Sequence, residues 1–217
     1  MPSAGRVTTR CTGTLERRLR QAGWPLVAGA DEAGRGSLFG PVYAAAAILD
    51  PDRPVRGLRD SKQLEPDRRE DLATAIRERA VGWAVACVDA FVIDRINIYQ
   101  ASRLAMKRAI EQLDPQPAYL LLDAIHVDLP LPQQAIIKGD ARCQAIAAAS
   151  ILAKVHRDAC MREWDLVFPQ YGLSRHKGYP APEHIDALLI YGPTLHHRFS
   201  YQPVREVCRT LPLGGAG

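Results

Sequence analysis

Tyr119-Leu120-Leu121-Leu122 is an unbroken apolar run that ends on an acid, Asp123, and is preceded by Pro115 and Pro117. A segment apolar at every position, rather than at alternate ones, reads as a strand covered on both faces. The chain therefore needs a sheet layered by helices. Val27–Ala30 and Pro41–Leu49 are two earlier strand-like runs, joined by a link too short for a parallel crossover, so the sheet is expected to be mixed. Val81, Trp83, Val85 and Cys87 alternate as a third strand, and Gln134–Ile137 gives a short one after Asp123. Helices are expected from Pro66 to about Arg79, from Asp89 or Ala90 to about Leu113, over Arg142–Trp164, and over Pro182–Ile190 and Tyr201–Arg209. Pro51–Asp60 reads as a loop.

At 217 residues, with 47% hydrophobic and 24% charged residues, this is one globular domain rather than a disordered, collagenous or coiled-coil chain. No apolar run approaches the length of a membrane helix. The net charge of +4 is carried entirely by residues 1–21, where Arg6, Arg10, Arg17, Arg18 and Arg20 face a single acid, Glu16. Residues 1–22 are therefore read as a basic, frayed tail with a faint likeness to a transit peptide, and residues 23–217 as the domain. Because the domain is electrically balanced, any nucleic-acid binding must come from local patches. Five scattered cysteines, none in a C-x-x-C pair, point to a reduced, cytoplasmic protein without a disulfide framework or structural zinc.

The chemistry is carried by acids. Asp31 and Glu32 follow the first apolar run and precede Gly34-Arg35-Gly36. In a regular strand the two side chains point to opposite faces, so a shared site requires a bulge or a curled Glu32. Asp123 ends the buried strand, where an acid often faces a ligand crevice. Asp140 precedes a helix and is a natural N-cap. Together the four suit a hard divalent cation, since no histidine or cysteine stands among them. Two such ions can activate a water and stabilise the leaving oxygen in phosphodiester hydrolysis. Of the remaining polar groups, Ser150 reads as helix packing, His176 as near a phosphate or structural, and His196-His197 as holding no metal.

The ordered motifs Asp31-Glu32-Ala33-Gly34-Arg35-Gly36, Asp60-Ser61-Lys62-Gln63-Leu64, Leu122-Asp123, Lys138-Gly139-Asp140, Ala147–Val155 with Arg157-Asp158, and His176-Lys177-Gly178-Tyr179-Pro180 resemble bacterial ribonuclease HII, the type 2 ribonuclease H, from about Leu26 to Arg209. The resemblance implies a ribonuclease H-like α/β fold: a five-stranded mixed sheet flanked by helices, with a helical C-terminal extension from about residue 165. It implies a monomeric endonuclease that cuts the RNA strand of RNA/DNA hybrids. It also implies cutting 5′ of ribonucleotides embedded in duplex DNA, leaving 3′-hydroxyl and 5′-phosphate ends. Asp31, Glu32, Asp123 and Asp140 would be the catalytic acids, holding Mn²⁺ or Mg²⁺, two ions when substrate is bound.

By the same resemblance, the backbone of Gly34, Arg35 and Gly36 contacts the ribose 2′-hydroxyl, and Tyr179 stacks on the sugar at the RNA–DNA junction. Lys62 and Lys154 join them as substrate-binding residues. Lys62, Lys138, Lys154 and Lys177 all fall within motifs, although arginines outnumber lysines 23 to 5. Two departures stand out: Ala124-Ile125 where the family often has Gly-Asn, so the loop after Asp123 is expected to differ in shape, and Ser37 where many members have proline. Leu211–Gly217 has no aromatic pair of the kind that docks on a sliding clamp. Two other readings stay open. A structure-specific DNA nuclease of the same fold would not need a 2′-hydroxyl sensor. A non-catalytic nucleic-acid-binding domain would not gather four carboxylates beside phosphates.

Overall fold

The structure is a computed structural model and describes residues 11–210. Five strands form one sheet in the order β3-β2-β1-β4-β5. They are β1 (Val27–Ala33), β2 (Val42–Ile48), β3 (Gly82–Val88), β4 (Tyr119–Asp123) and β5 (Gln133–Ile136). β1 pairs antiparallel with β2 and parallel with β4, so the sheet is mixed, as the short β1–β2 link requires.

Helices cover both faces. β2 explains how: Ala44 to Ala47 are all fully buried, and their side chains alternate between two cores. Ala44 and Ala46 pack with α3 (Ala90–Glu111), whereas Ala45 and Ala47 pack with α2 (Pro66–Arg79) and α4 (Gln144–Val167). Small side chains let both helices sit close. The tightest approach to helix backbone is at Gly29 in β1, where an added Cβ would lie 2.1 Å from the Ala145 carbonyl carbon at the start of α4. α3 is interrupted at Asn97, whose φ of 66° is non-helical and whose Oδ1 accepts the Gln100 N–H. The expected continuous helix is thus two segments joined across a kink at Asn97.

Three local expectations change. The described part of the supposed tail contains a helix, α1 (Thr14–Gln21), in which Glu16 is buried and accepts the Ala145 N–H at 2.9 Å. A carboxylate from the chain start thereby caps α4; residues 1–10 lie outside the described residues. Next, β1 runs on through Asp31 and Glu32 with unbroken register, Ala28↔Ile48 to Ala33↔Tyr43, so no bulge forms. Finally, α4 starts at Gln144, and Asp140 sits in a separate 3-10 turn (Gly139–Ala141) instead of serving as its N-cap.

The C-terminal extension comprises α5 (Leu173–His176), α6 (Pro182–Tyr191) and α7 (Gln202–Thr210). Together with the end of α4 it builds a third core around Leu38 and Phe39. The Phe39 ring meets Trp164, Phe168, His196 and His197 at centroid distances of 4.9–6.0 Å. The extension therefore clasps the loop that follows Asp31 and Glu32.

Candidate active site

Asp31 points to the α4 side of the sheet, among buried surroundings. Its Oδ1 accepts the Glu32 N–H at 2.7 Å, and it also bonds Ser150, whose hydroxyl lies 3.0 Å from that of Ser61. Ser150, read from the sequence as helix packing, thus holds an acid in place. Glu32 leaves the strand on its other side and curls back: Arg35 Nη1 donates to its Oε1 at 3.3 Å, while Oε2 is buried without a partner among the described residues. The reach comes from the longer side chain, and the backbone stays regular. Asp123 ends β4 and accepts the Gly139 N–H at 2.7 Å, which ties it to the turn carrying Asp140.

The acids feel one another. Burial, then the charges of Glu32 and Asp123, push the Asp31 carboxyl well above the ordinary carboxylate range. Burial raises Glu32 too; Arg35 partly offsets this and Asp123 adds to it. Asp140 is raised by burial, then by Asp60 and Asp123. Among the described residues, no three His, Cys, Asp or Glu side chains are drawn together tightly enough to form a ready cation cage. The donor set nevertheless fits a divalent cation: all four acids offer oxygen only, they repel one another, and Glu32 Oε2 is buried and unpartnered.

Beside the acids lies a cleft of about 590 Å³ lined by Glu32, Gly34, Arg35, Gly36, Lys62, Lys154 and Tyr179, among others. Every residue expected to bind substrate lines it, whereas of the four acids only Glu32 does; Asp31, Asp123 and Asp140 do not. Burial pulls the Lys62 ammonium down, but the charges of Asp31, Asp60 and Asp140 outweigh this and hold it above its usual value. Its turn is clamped by Arg69, which donates to the carbonyls of Ser61 and Leu64 and pairs with Asp158 at 3.4 Å. Lys154 is engaged by the same Asp158 at 2.5 Å, and burial lowers its pKa.

Gly34 has a φ of 95°, and a Cβ there would lie 2.0 Å from Arg157 Nε, so only glycine fits. Arg157 is fully buried: Nη2 donates to Ser37 Oγ at 2.6 Å and to the Lys177 carbonyl at 2.8 Å, and its guanidinium lies over the Tyr179 ring at 5.2 Å. Ser37 therefore supplies an acceptor where proline would have none. His176 faces no cleft: its Nδ1 accepts the Gly178 N–H, its Nε2 bonds the Tyr171 carbonyl, and its ring stacks on His184. His197 Nδ1 accepts the Thr194 N–H, which leaves its proton on Nε2, 3.2 Å from His184 Nε2. His184 then donates through Nδ1 to the Tyr179 carbonyl at 3.0 Å. His196-His197 thus serves packing and tautomer order. Arg157 falls in the Arg157-Asp158 motif, but nothing in the sequence points to its contact with Ser37 and Tyr179. The parts played by Ser150 and Arg69 carry no chemical signal of their own in the sequence, because a serine in an alanine run and an arginine among many arginines look ordinary.

The pattern of a family described as Ribonuclease HII matches residues 28–204. The chain belongs to the ribonuclease HII family. It is accordingly a nuclease, a hydrolase with ribonuclease H activity that acts on nucleic acid. The Ribonuclease HII of Solibacter usitatus (strain Ellin6076) is 61% identical over 209 residues, covering 96% of this chain and 91% of that protein. That of Koribacter versatilis (strain Ellin345) is 53% identical over 195 residues, covering 90% and 77%. The crystal structure of ribonuclease H2 from Pyrococcus horikoshii OT3 superposes with a TM-score of 0.72 at 26% identity, covering 84% of this chain and 96% of that one. The RNase HII in the PCNA:RNase HII complex from Archaeoglobus fulgidus does so at 0.70 and 27%, covering 82% and 95%. Residues 211–217, where no clamp-docking pair is read, lie outside the described residues. No helix among the described residues is long and apolar enough to cross a membrane.

Proposed function

We propose that this chain is a cytoplasmic, monomeric, divalent-metal-dependent endonuclease. It cuts the RNA strand of RNA/DNA hybrids and the 5′ side of ribonucleotides embedded in duplex DNA, leaving 3′-hydroxyl and 5′-phosphate ends. The observation that carries this is the group of buried, mutually repelling acids beside a cleft with basic and glycine-rich walls. Asp31, Glu32, Asp123 and Asp140 would hold Mg²⁺ or Mn²⁺, two ions with substrate present. Such ions, when bound, activate the attacking water and neutralise charge on the leaving oxygen. The protein's own groups do the rest. Ser150 fixes Asp31, Gly139 fixes Asp123, and Arg35 holds one Glu32 oxygen while leaving the other free. Lys62 and Lys154 bring positive charge to the cleft wall for phosphate contact. Gly34, Arg35 and Gly36 bring backbone close enough to meet a 2′-hydroxyl, the group that separates RNA from DNA. Tyr179, with its ring beside Gly36, stacks on the junction sugar.

A duplex holding one ribonucleotide, incubated with Mg²⁺, with Mn²⁺ and with chelator, tests the proposal. The expected result is a single cut 5′ of the ribonucleotide that chelator abolishes. Cutting of an all-DNA duplex at a similar rate would instead favour a DNA nuclease. Tyr179→Ala should slow cutting at a single ribonucleotide more than within a long hybrid; equal slowing would remove its junction role.

A further inference from the structure

The loop that lines the cleft is held from behind by the C-terminal extension. Arg198 is fully buried and lines no part of the cleft. Its Nη1 donates to the carbonyl oxygens of Gly34 at 2.8 Å and Arg35 at 2.9 Å, and its Nε donates to the Gly40 carbonyl at 3.0 Å. The Tyr201 hydroxyl donates to the same Arg35 carbonyl and lies 3.0 Å from Arg198 Nη1. Backbone bonds fix the donor itself: Arg198 N–H to Leu38 O and Gly40 N–H to His196 O, each 2.8 Å.

In a trans peptide the N–H points away from the C=O. The Gly34 carbonyl shares its peptide with the Arg35 N–H, and the Arg35 carbonyl shares its peptide with the Gly36 N–H. Drawing both carbonyls inward to one guanidinium therefore turns both N–H groups outward. Neither N–H finds a protein acceptor among the described residues. Two adjacent, outward donors on a glycine-flanked loop can meet a single hydroxyl oxygen.

We propose that Arg198, assisted by Tyr201, is a positioning residue that sets ribose selectivity by orienting the Gly34–Arg35 and Arg35–Gly36 peptides toward the 2′-hydroxyl. This rests on the reading of that loop as the 2′-hydroxyl sensor given above. The guanidinium serves Gly34 and Arg35 through Nη1 and Gly40 through Nε, and the single nitrogen of a lysine ammonium cannot stand at both places.

The test compares binding of two duplexes in chelator, where nothing is cut: one all-DNA, the other identical except for a single ribonucleotide. Wild type should prefer the ribonucleotide duplex. Arg198→Lys and Tyr201→Phe should each reduce that preference, by about tenfold for Arg198→Lys, equivalent to about 1.4 kcal/mol. Affinity for the all-DNA duplex should stay within about twofold, because phosphate contacts lie elsewhere. A merely structural role would weaken both duplexes together. Tyr201→Phe keeps the ring and decides the matter if Arg198→Lys melts below the assay temperature. An undiminished preference in folded variants overturns the positioning role and leaves the sensor reading intact. A wild-type protein with no preference overturns both.

Discussion

Two charged centres flank the loop that follows Asp31 and Glu32, and they are built in opposite ways. At the end of the sheet, Asp31, Glu32, Asp123 and Asp140 repel one another with few donors to satisfy them. Behind the adjoining loop, Arg157 and Arg198 are each given carbonyl or hydroxyl acceptors, although burial still pulls the Arg198 guanidinium down to about 10. The first centre holds charge that a ligand must complete. The second directs its charge at the protein's own backbone and so fixes a shape, although Arg157 Nε and Nη1 and Arg198 Nη2 stay buried without a partner among the described residues. What separates the two is therefore the repulsion between like charges, which a ligand of opposite sign relieves, and not the unspent hydrogen bonds alone.

The sharpest test of that contrast is to remove one charge from the acid centre. Asp123→Asn or Asp31→Asn should cut the rate of RNA cleavage by on the order of 10³-fold. Asp31→Asn should leave the melting temperature in metal-free buffer unchanged or higher, because it relieves repulsion. A large fall in melting temperature with retained cleavage would mean that Asp31 is structural. On the other side, Gly34→Ala forces a Cβ against Arg157 and a side chain into a φ of 95°. It should lower both stability and cleavage, with a loss of about 2 kcal/mol or more in chemical denaturation.

Stability should respond to pH with opposite sign in the two regions. The raised acids bind protons more tightly folded than unfolded. In metal-free protein they therefore remove stability as pH climbs through and above the ordinary carboxylate range. Burial lowers His184 to about 4 and His197 to about 3 from 6.5. Their contribution is fully present above 6.5 and is lost as pH falls toward 3 or 4, on the order of a few kcal/mol for the coupled pair. Melting curves across pH should show a maximum in mildly acid buffer. Asp31→Asn should flatten the neutral limb and His184→Asn the acid limb. A cation should raise the neutral limb most. A profile in which one variant flattened both limbs would show the regions to be a single electrostatic unit.

Much of this was readable in the chain, for physical reasons. Tyr119–Leu122 and Ala44–Ala47 show no alternation because both faces are covered, and that pattern alone calls for a layered sheet. The acid set was legible because carboxylates at strand ends and before a helix have few structural uses in common. Strand β1 ends three residues later than its apolar run, because antiparallel pairing to β2 carries Asp31 and Glu32 along regardless of their polarity. α1 was invisible for a different reason: its buried anchor is Glu16, and its apolar contacts are few amid arginines. Periodicity cannot register a helix held by a carboxylate that caps another helix. Glu16→Ala should therefore lower stability by about 1–2 kcal/mol in urea unfolding while leaving cleavage unchanged at low temperature. An unchanged midpoint would mean that α1 adds nothing to the domain.

The smallest effect lies at the residue after Asp123. Ala124 has a φ of 55°, in the left-handed region where a Cβ crowds its own carbonyl. Its N–H still reaches the Ile136 carbonyl at 3.1 Å, and Ile125 closes a tight turn on the Asp123 carbonyl at 2.7 Å. The residue holds a conformation suited to glycine while carrying alanine, so its Cβ adds strain here. Ala124→Gly should relieve that strain, partly offset by the greater freedom of glycine in the unfolded chain, for a net gain of about 0.5–1 kcal/mol. Such a gain, with cleavage unaltered, would show that the acid centre tolerates backbone strain beside it as well as charge repulsion within it. A loss of stability would mean that the alanine methyl makes packing contacts worth more than the strain it imposes.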